Sequence, residues 1–222
     1  MGLAFCCVIL RQLSLLDHES PAFDETFAGV RRIELGNDAW LEYASGWLRG
    51  HARMFERLAS SLSWQRGERA MYDKLVEVPR LYAVLSDDGS AHPLLDPMRR
   101  ALSERYGEAL VRTSFALYRD GRDSVAWHGD QVARRMREAL VVSVSVGAPR
   151  KLLIRPYGGG RSIAFSLGSG DLFVMGGSCQ RTFQHSVPKL KHAEPRIVIM
   201  FRPNWDEPPV ARKRGFYTSG VA

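Results

Sequence analysis

His128 and Asp130 stand two residues apart in the stretch Val125-Ala-Trp-His-Gly-Asp130. In an extended segment that spacing turns both side chains to one face, so an imidazole and a carboxylate aim at one point. A third group, His185, lies far along the chain. Carried on another strand, it completes a set of two imidazoles and one carboxylate, which can hold a non-heme Fe(II) by one face and leave the opposite positions open. Open positions are what an oxygenase needs.

Arg196 and Arg202 bracket the apolar run Ile-Val-Ile-Met-Phe. Period two sends both guanidinium groups, with Val198 and Met200 between them, to one side and Ile197, Ile199 and Phe201 to the other. A guanidinium inside such a run is costly to bury unless it meets an anion, and its planar fork suits a carboxylate. The late strand therefore implies a dicarboxylate-sized anion beside a metal.

These side chains converge only if strands carry them. From Leu110 onward the chain reads as strands over 111–118, 140–146, 151–155, 162–167, 172–175, 182–185 and 196–202. Turn signals at Asp120-Gly121, Gly158-Gly159-Gly160 and Gly168-Ser169-Gly170 separate several of them. The triple glycine lacks the Lys-Ser/Thr of a phosphate loop. Upstream, Arg31 to Leu35 suggests a short strand. Asn37 or Asp38 caps an expected helix whose stripe is Trp40, Ala44, Trp47, Leu48, His51, Met54, Phe55 and Leu58, with His51 a packed histidine. Asp96-Pro97 opens a second helix, with Met98, Leu102 and Tyr106 on its apolar side and Gly107 as its stop. Seven or eight short strands after two helices describe an α+β fold, a double-stranded β-helix or jelly roll with N-terminal helices packed outside the sheets.

Between the helices, Trp64 to Val78 is polar and carries Arg66, Arg69, Met71, Tyr72 and Lys74. Two readings stand side by side: a lid over a substrate, or a short β-hairpin edge packed on its own domain.

Four segments carry a family resemblance. YRDGRDSVAWHGD (118–130), SLGSGDLFVMGGSCQRTFQHSVPK (166–189), PRIVIMFR (195–202) and VPRLYAVLSDDG (78–89) together resemble the AlkB-type Fe(II)/2-oxoglutarate-dependent dioxygenases, over about residues 64–204. The resemblance implies iron held by His128, Asp130 and His185, with 2-oxoglutarate and O2 as cosubstrates. Arg196 would clamp the distal carboxylate, Arg202 would line the same pocket near the substrate entrance, and the Tyr118 hydroxyl would donate to the cosubstrate. The implied reaction is oxidative dealkylation of N-alkylated bases in DNA or RNA, releasing formaldehyde, succinate and CO2. By the same analogy Met71 and Tyr72 form an apolar wedge at a base step, and Arg66, Arg69 and Lys74 lie near phosphates. Arg80 is structural or substrate-facing. The aromatic partner of an extruded base would be Trp64, Tyr72 or Tyr82, while Trp127 is turned away by alternation with His128.

The sequence also departs from the family. Ala116, Val198 and Met200 stand where the family carries hydrogen-bonding side chains, and Gln131 and Val132 replace acidic residues that often follow the metal motif. These changes lower the expected cosubstrate affinity and leave the lesion open. They also keep two alternatives alive: the same oxidation on a protein or small molecule, and a nucleic-acid-binding jelly roll without turnover.

With 222 residues, 45% of them hydrophobic, the chain has room for one sizeable core. The expectation is a single domain divided into an N-terminal segment (1–36), helices with the candidate lid (37–109), a catalytic core (110–204) and a basic tail (205–222). A net charge of +7 favours a polyanionic partner, nucleic acid before membrane. Cys6, Cys7 and Cys179 form neither a disulfide framework nor a zinc motif, which fits a reducing cytoplasm. The apolar start, Met1 to Leu10, is too short to span a bilayer, and a Cys at position six spoils the myristoylation motif that Gly2 suggests. A monomer with no membrane association and no obligate protein partner is expected.

Overall fold

Alternating apolar residues in the second half of the chain build two facing antiparallel sheets. The structure, a computed structural model, describes residues 19–71, 74–85, 91–130 and 133–205. The N-terminal half holds β1 (Ala22–Phe23), β2 (Arg31–Gly36), β3 (Ala39–Ala44), β4 (Leu48–Arg49), α1 (His51–Ser61), β5 (Gln65–Met71), β6 (Lys74–Val84) and α2 (Leu95–Tyr106). There follow β7 (Arg112–Tyr118), β8 (Val125–His128), β9 (Val141–Gly147), β10 (Arg150–Pro156), β11 (Ile163–Leu167), β12 (Leu172–Gly177), α3 (Cys179–Thr182), β13 (Phe183–Val187) and β14 (Arg196–Arg202).

Among the described residues the major sheet has the order β2-β3-β12-β9-β14-β7-β6-β5 and the minor sheet β11-β10-β13-β8. The expected jelly roll is therefore present, with α1 and α2 packed on the outer face of the major sheet. Period two on β14 decides both faces. Ile197, Ile199 and Phe201 are fully buried and join Phe115, Leu117 and Val144 against Met54, Phe55, Leu58, Met98 and Leu102 of the helices. Each such side chain contributes about 1.5–3 kcal/mol of burial. The opposite face contributes Ala116, Tyr118, Phe173 and Met175 to a second core shared with Leu152 and Ile154 of the minor sheet.

The long helix expected from Asn37 to Leu58 is not what forms. Asn37 and Asp38 have φ of 53° and 61°, the two-residue turn of a hairpin, and Gly36 pairs with Ala39 across it. Consequently 39–44 is a strand, and the helix starts only at His51, after Gly50 with φ of 58°. Trp40, Ala44 and Trp47 fit helical and strand spacing alike. The left-handed turn decides between them, because two successive positive φ values cannot open a right-handed helix. The second helix ends as expected on Gly107, at φ 60°. It starts one residue earlier, at Leu95, and Asp96 pairs with Arg99 at 3.1 Å instead of capping the helix.

Strands β5 (65–71) and β6 (74–84) pair as a hairpin on the edge of the major sheet, the second of the two readings for that stretch. Met71 pairs with Lys74 at its end and Arg69 with Val76. Tyr72, Gln131, Val132, Cys6, Cys7 and the basic tail lie outside the described residues. No helix among the described residues is long and apolar enough to cross a membrane.

Candidate active site

The ladder between β8 and β13 puts His128 directly opposite His185, and the ring centroids are 4.2 Å apart. The carbonyl oxygen of Ala126 lies 2.9 Å from His128 Nδ1. A proton on that nitrogen satisfies the carbonyl and leaves the Nε2 lone pair free. Burial holds both imidazoles below their ordinary pKa, His185 far below it, so both are neutral, the form that binds a metal.

Asp130 departs from the expectation that it shares a strand with His128. β8 stops at His128, and the Asp130 amide donates instead to Gln180 Oε1 at 2.9 Å. Its carboxylate meets Arg202 Nη1 at 3.3 Å.

On β14 both arginines face the cavity with Val198 and Met200, the face that period two predicts. Arg196 is 2% exposed, donates from Nη2 to Ser145 Oγ at 2.7 Å, and leaves Nε without a partner. Burial pushes its pKa down to about 10. Tyr118 lies opposite Arg196 in the β7–β14 ladder, its ring 5.8 Å from the guanidinium. Arg80 Nη1 donates to the Tyr118 hydroxyl oxygen at 3.1 Å. That contact leaves the phenolic proton free for another acceptor.

One cavity between the sheets is lined by His128, Asp130, His185, Tyr118, Arg196 and Arg202, together with Arg80 and Gln180. Residues 51–204 match the 2OG-Fe(II) oxygenase superfamily.

The chain belongs to that superfamily.

It is an AlkB-like member. It is 29% identical over 177 residues to alpha-ketoglutarate-dependent dioxygenase alkB homolog 3 of Bos taurus, covering 70% of this chain and 62% of that one. The Homo sapiens homolog 3 is 28% identical over the same shares. The chain thus spans about three fifths of the length of these curated relatives. In fold it is similar to the solved structure of OsALKBH1, with a TM-score of 0.55 at 14% identity, over 78% of this chain and all of that one. The family's cofactor is Fe(II), and its cosubstrates are 2-oxoglutarate and dioxygen.

The site fits that cofactor by donor type: two neutral imidazoles and a carboxylate reach one cavity. Among the described residues no three such side chains stand at ligand spacing as they lie. The Asp130 carboxylate is engaged by Arg202, so binding a cation requires it to turn toward the imidazoles. The unpartnered Arg196 Nε fits a carboxylate at the inner end.

Several features escaped the sequence reading. Arg150, 2% exposed, donates to the carbonyl oxygens of Asp120 at 3.1 Å and of Asp123 and Pro188 at 2.8 Å, tying the 120–123 turn to the end of β13. The Asp123 carboxylate accepts from the Arg119 amide and guanidinium, which orders the same turn. Ser145, a polar residue alternating within an apolar strand, was the available signal for the arginine's partner. Ala116 and Val198 face each other across the β7–β14 ladder, so the missing polar groups leave a drier wall.

The other candidates disperse. Arg66 is exposed and pairs with Leu81, whose side chain packs on the helix-side core, so register places it on that face and not at the cavity. Trp64 donates to the Ala59 carbonyl at 3.1 Å and packs on the same core, which removes it as a base-stacking platform. Trp127 lies under Arg155, 4.1 Å from its ring centre, away from the cavity. Tyr82, 40% exposed, alternates onto the same face of β6 as Arg80. Cys179 is a buried free thiol pushed up to about 12, which makes it a packing group and not a nucleophile.

Proposed function

We propose that the chain is an Fe(II)/2-oxoglutarate-dependent dioxygenase that removes alkyl groups from bases in DNA or RNA, acting as a single-domain monomer in a reducing cytoplasm. The observation that carries this reading is the pairing, within one cavity, of two facing neutral imidazoles with a sealed arginine that has an unsatisfied Nε. His128, Asp130 and His185 would hold the iron. When bound, the iron with 2-oxoglutarate and O2 supplies a two-electron oxidation of an adjacent C–H bond. The chain's own groups do the rest. Arg196 takes the distal carboxylate, Tyr118 donates its freed hydroxyl proton to the cosubstrate, and the apolar wall of Ala116, Val198 and Met200 excludes water.

The oxidised N-alkyl carbon becomes a hydroxyalkyl group. From an N-methyl group it collapses to formaldehyde and the unmodified base, while the cosubstrate leaves as succinate and CO2. The net charge of +7 supports a nucleic-acid substrate. Tyr82 and Val84, 40% and 65% exposed, lie on the cavity face of β6 beyond Arg80 and offer a flat apolar surface to an extruded base.

A panel of methylated oligonucleotides tests the reading, with formaldehyde measured in the presence and absence of 2-oxoglutarate. Release that depends on the cosubstrate is expected. Tyr82→Ala should raise KM for the oligonucleotide about tenfold, since one base–aromatic stack is worth about 1–3 kcal/mol. Anaerobic addition of Fe(II) and 2-oxoglutarate should give a metal-to-ligand charge-transfer band. That band without formaldehyde would move the substrate to a protein or small molecule. A folded chain with no band would favour a nucleic-acid-binding jelly roll, the reading for which Ala116, Val198 and Met200 speak.

A further inference from the structure

Asp130 sits in an exposed mechanical position for a residue asked to hold an ion. It is the second residue past the end of β8, so the sheet ladder that fixes His128 does not fix it. Its one described backbone tie is a side chain. Gln180, 1% exposed, points Oε1 at the Asp130 amide at 2.9 Å and Nε2 at Met175 Sδ at 3.4 Å. The orientation of this amide follows from its neighbours: a backbone N–H can be faced only by the carbonyl oxygen, and the thioether, a weak acceptor, takes the NH2.

Gln180 belongs to α3, which leads directly into β13, the strand of His185. The segment carrying one imidazole therefore holds the carboxylate's backbone as well. The β8–β13 ladder ties the two strands at His128–His185 and Val125–Val187, and Gln180 ties the loop that follows β8 to the same segment beyond the ladder's end.

We propose that Gln180 is a positioning residue for Asp130: it replaces the missing ladder partner, fixes the direction of the carboxylate relative to the two imidazoles, and so sets metal affinity without touching the metal. This rests on the reading of Asp130 as a ligand. Buried partners that orient ligands typically change metal affinity by about 10- to 100-fold when removed. Gln180→Met keeps the volume and apolar fit beside Met175 while deleting the acceptor.

The test combines two measurements on the full chain. Amide hydrogen exchange of the metal-free protein reads the clamp itself: the Asp130 amide should be protected in the wild type and lose that protection in Gln180→Met. Titration with Co(II), followed by its d–d absorption, reads the consequence: Kd should rise about 10- to 100-fold and the band should change shape, while 2-oxoglutarate KM at saturating metal stays within about threefold. Gln180→Glu, which keeps an acceptor oxygen in place, should restore amide protection. An unprotected Asp130 amide in the wild type overturns the proposal even if Gln180→Met fails to fold, and so does an unchanged Co(II) Kd in a folded Gln180→Met. A wild type that takes up no Co(II) removes the ligand reading itself, whatever the amide shows, so the two failures are distinguishable.

Discussion

Arg196 and Arg202 occupy the two ends of β14 and share its cavity face, and burial lowers the pKa of both, but they differ in exposure and in partner. At the inner end, Arg196 is sealed, bonded to a serine hydroxyl, and lowered in pKa by burial. At the mouth, Arg202 is 30% exposed in its side chain and already paired with the Asp130 carboxylate. Both leave Nε without a partner, yet only one of the two guanidinium groups already has a carboxylate as its counter-ion. Depth decides which: a guanidinium out of water gains most from a carboxylate, whereas one near solvent gains little and exchanges partners easily.

The most severe test removes the carboxylate that Arg202 holds at the mouth. Asp130→Ala should leave the fold intact and lower iron retention and turnover by more than about 100-fold, beyond the range of outer-shell partners. Metal content after desalting and formaldehyde release check this, and near-wild-type activity would contradict the role given to Asp130.

Arg196→Ala should come next. Truncating one partner of a buried charge pair costs about 2–5 kcal/mol, so 2-oxoglutarate Kd should rise at least about 30-fold while metal Kd hardly moves. Calorimetry on both ligands separates the two. Arg202→Met should do less: a pair this close to solvent is worth about 1 kcal/mol or below, so 2-oxoglutarate Kd should change less than about tenfold and Co(II) should bind no more weakly. Equal effects from the two arginines would erase the contrast between the ends.

The smallest effect concerns the imidazoles between them. Burial depresses the pKa of His185, and of His128 less strongly, below the unfolded value of about 6.5. The unfolded chain therefore takes up protons first as pH falls. Stability is complete above about pH 6.5 and is lost from there down toward the depressed folded values. The Tm of the metal-free protein should drop over that window by about 2–4 °C for each kcal/mol. His185→Gln should flatten the drop, and an unchanged slope would place the proton uptake elsewhere.

How legible all this was in the sequence differs by element. β14 was fully legible, because strict alternation of two arginines with three large apolar residues admits one assignment of faces. The strands from β7 onward and the end of α2 were legible for the same reason, aided by glycine turns. The stretch 37–50 was not: its apolar residues satisfy periods of two and of three to four, and the Asn37-Asp38 turn that resolves them is a local backbone signal. Arg66 and Trp64 were misplaced because composition does not say which face of an edge hairpin a residue takes. Register does.

From the sequence alone came the candidate ligand types, their order along the chain, the shared face of the two arginines and the jelly-roll class, since these depend on residue chemistry and short-range periodicity. Tertiary structure alone decided that His128 faces His185, that Arg202 pairs with the Asp130 carboxylate, and that Gln180 and Arg150 brace the loops around the cavity. Those contacts join segments 27 to 72 residues apart. No local pattern encodes them, because they exist only once the two sheets have closed on each other.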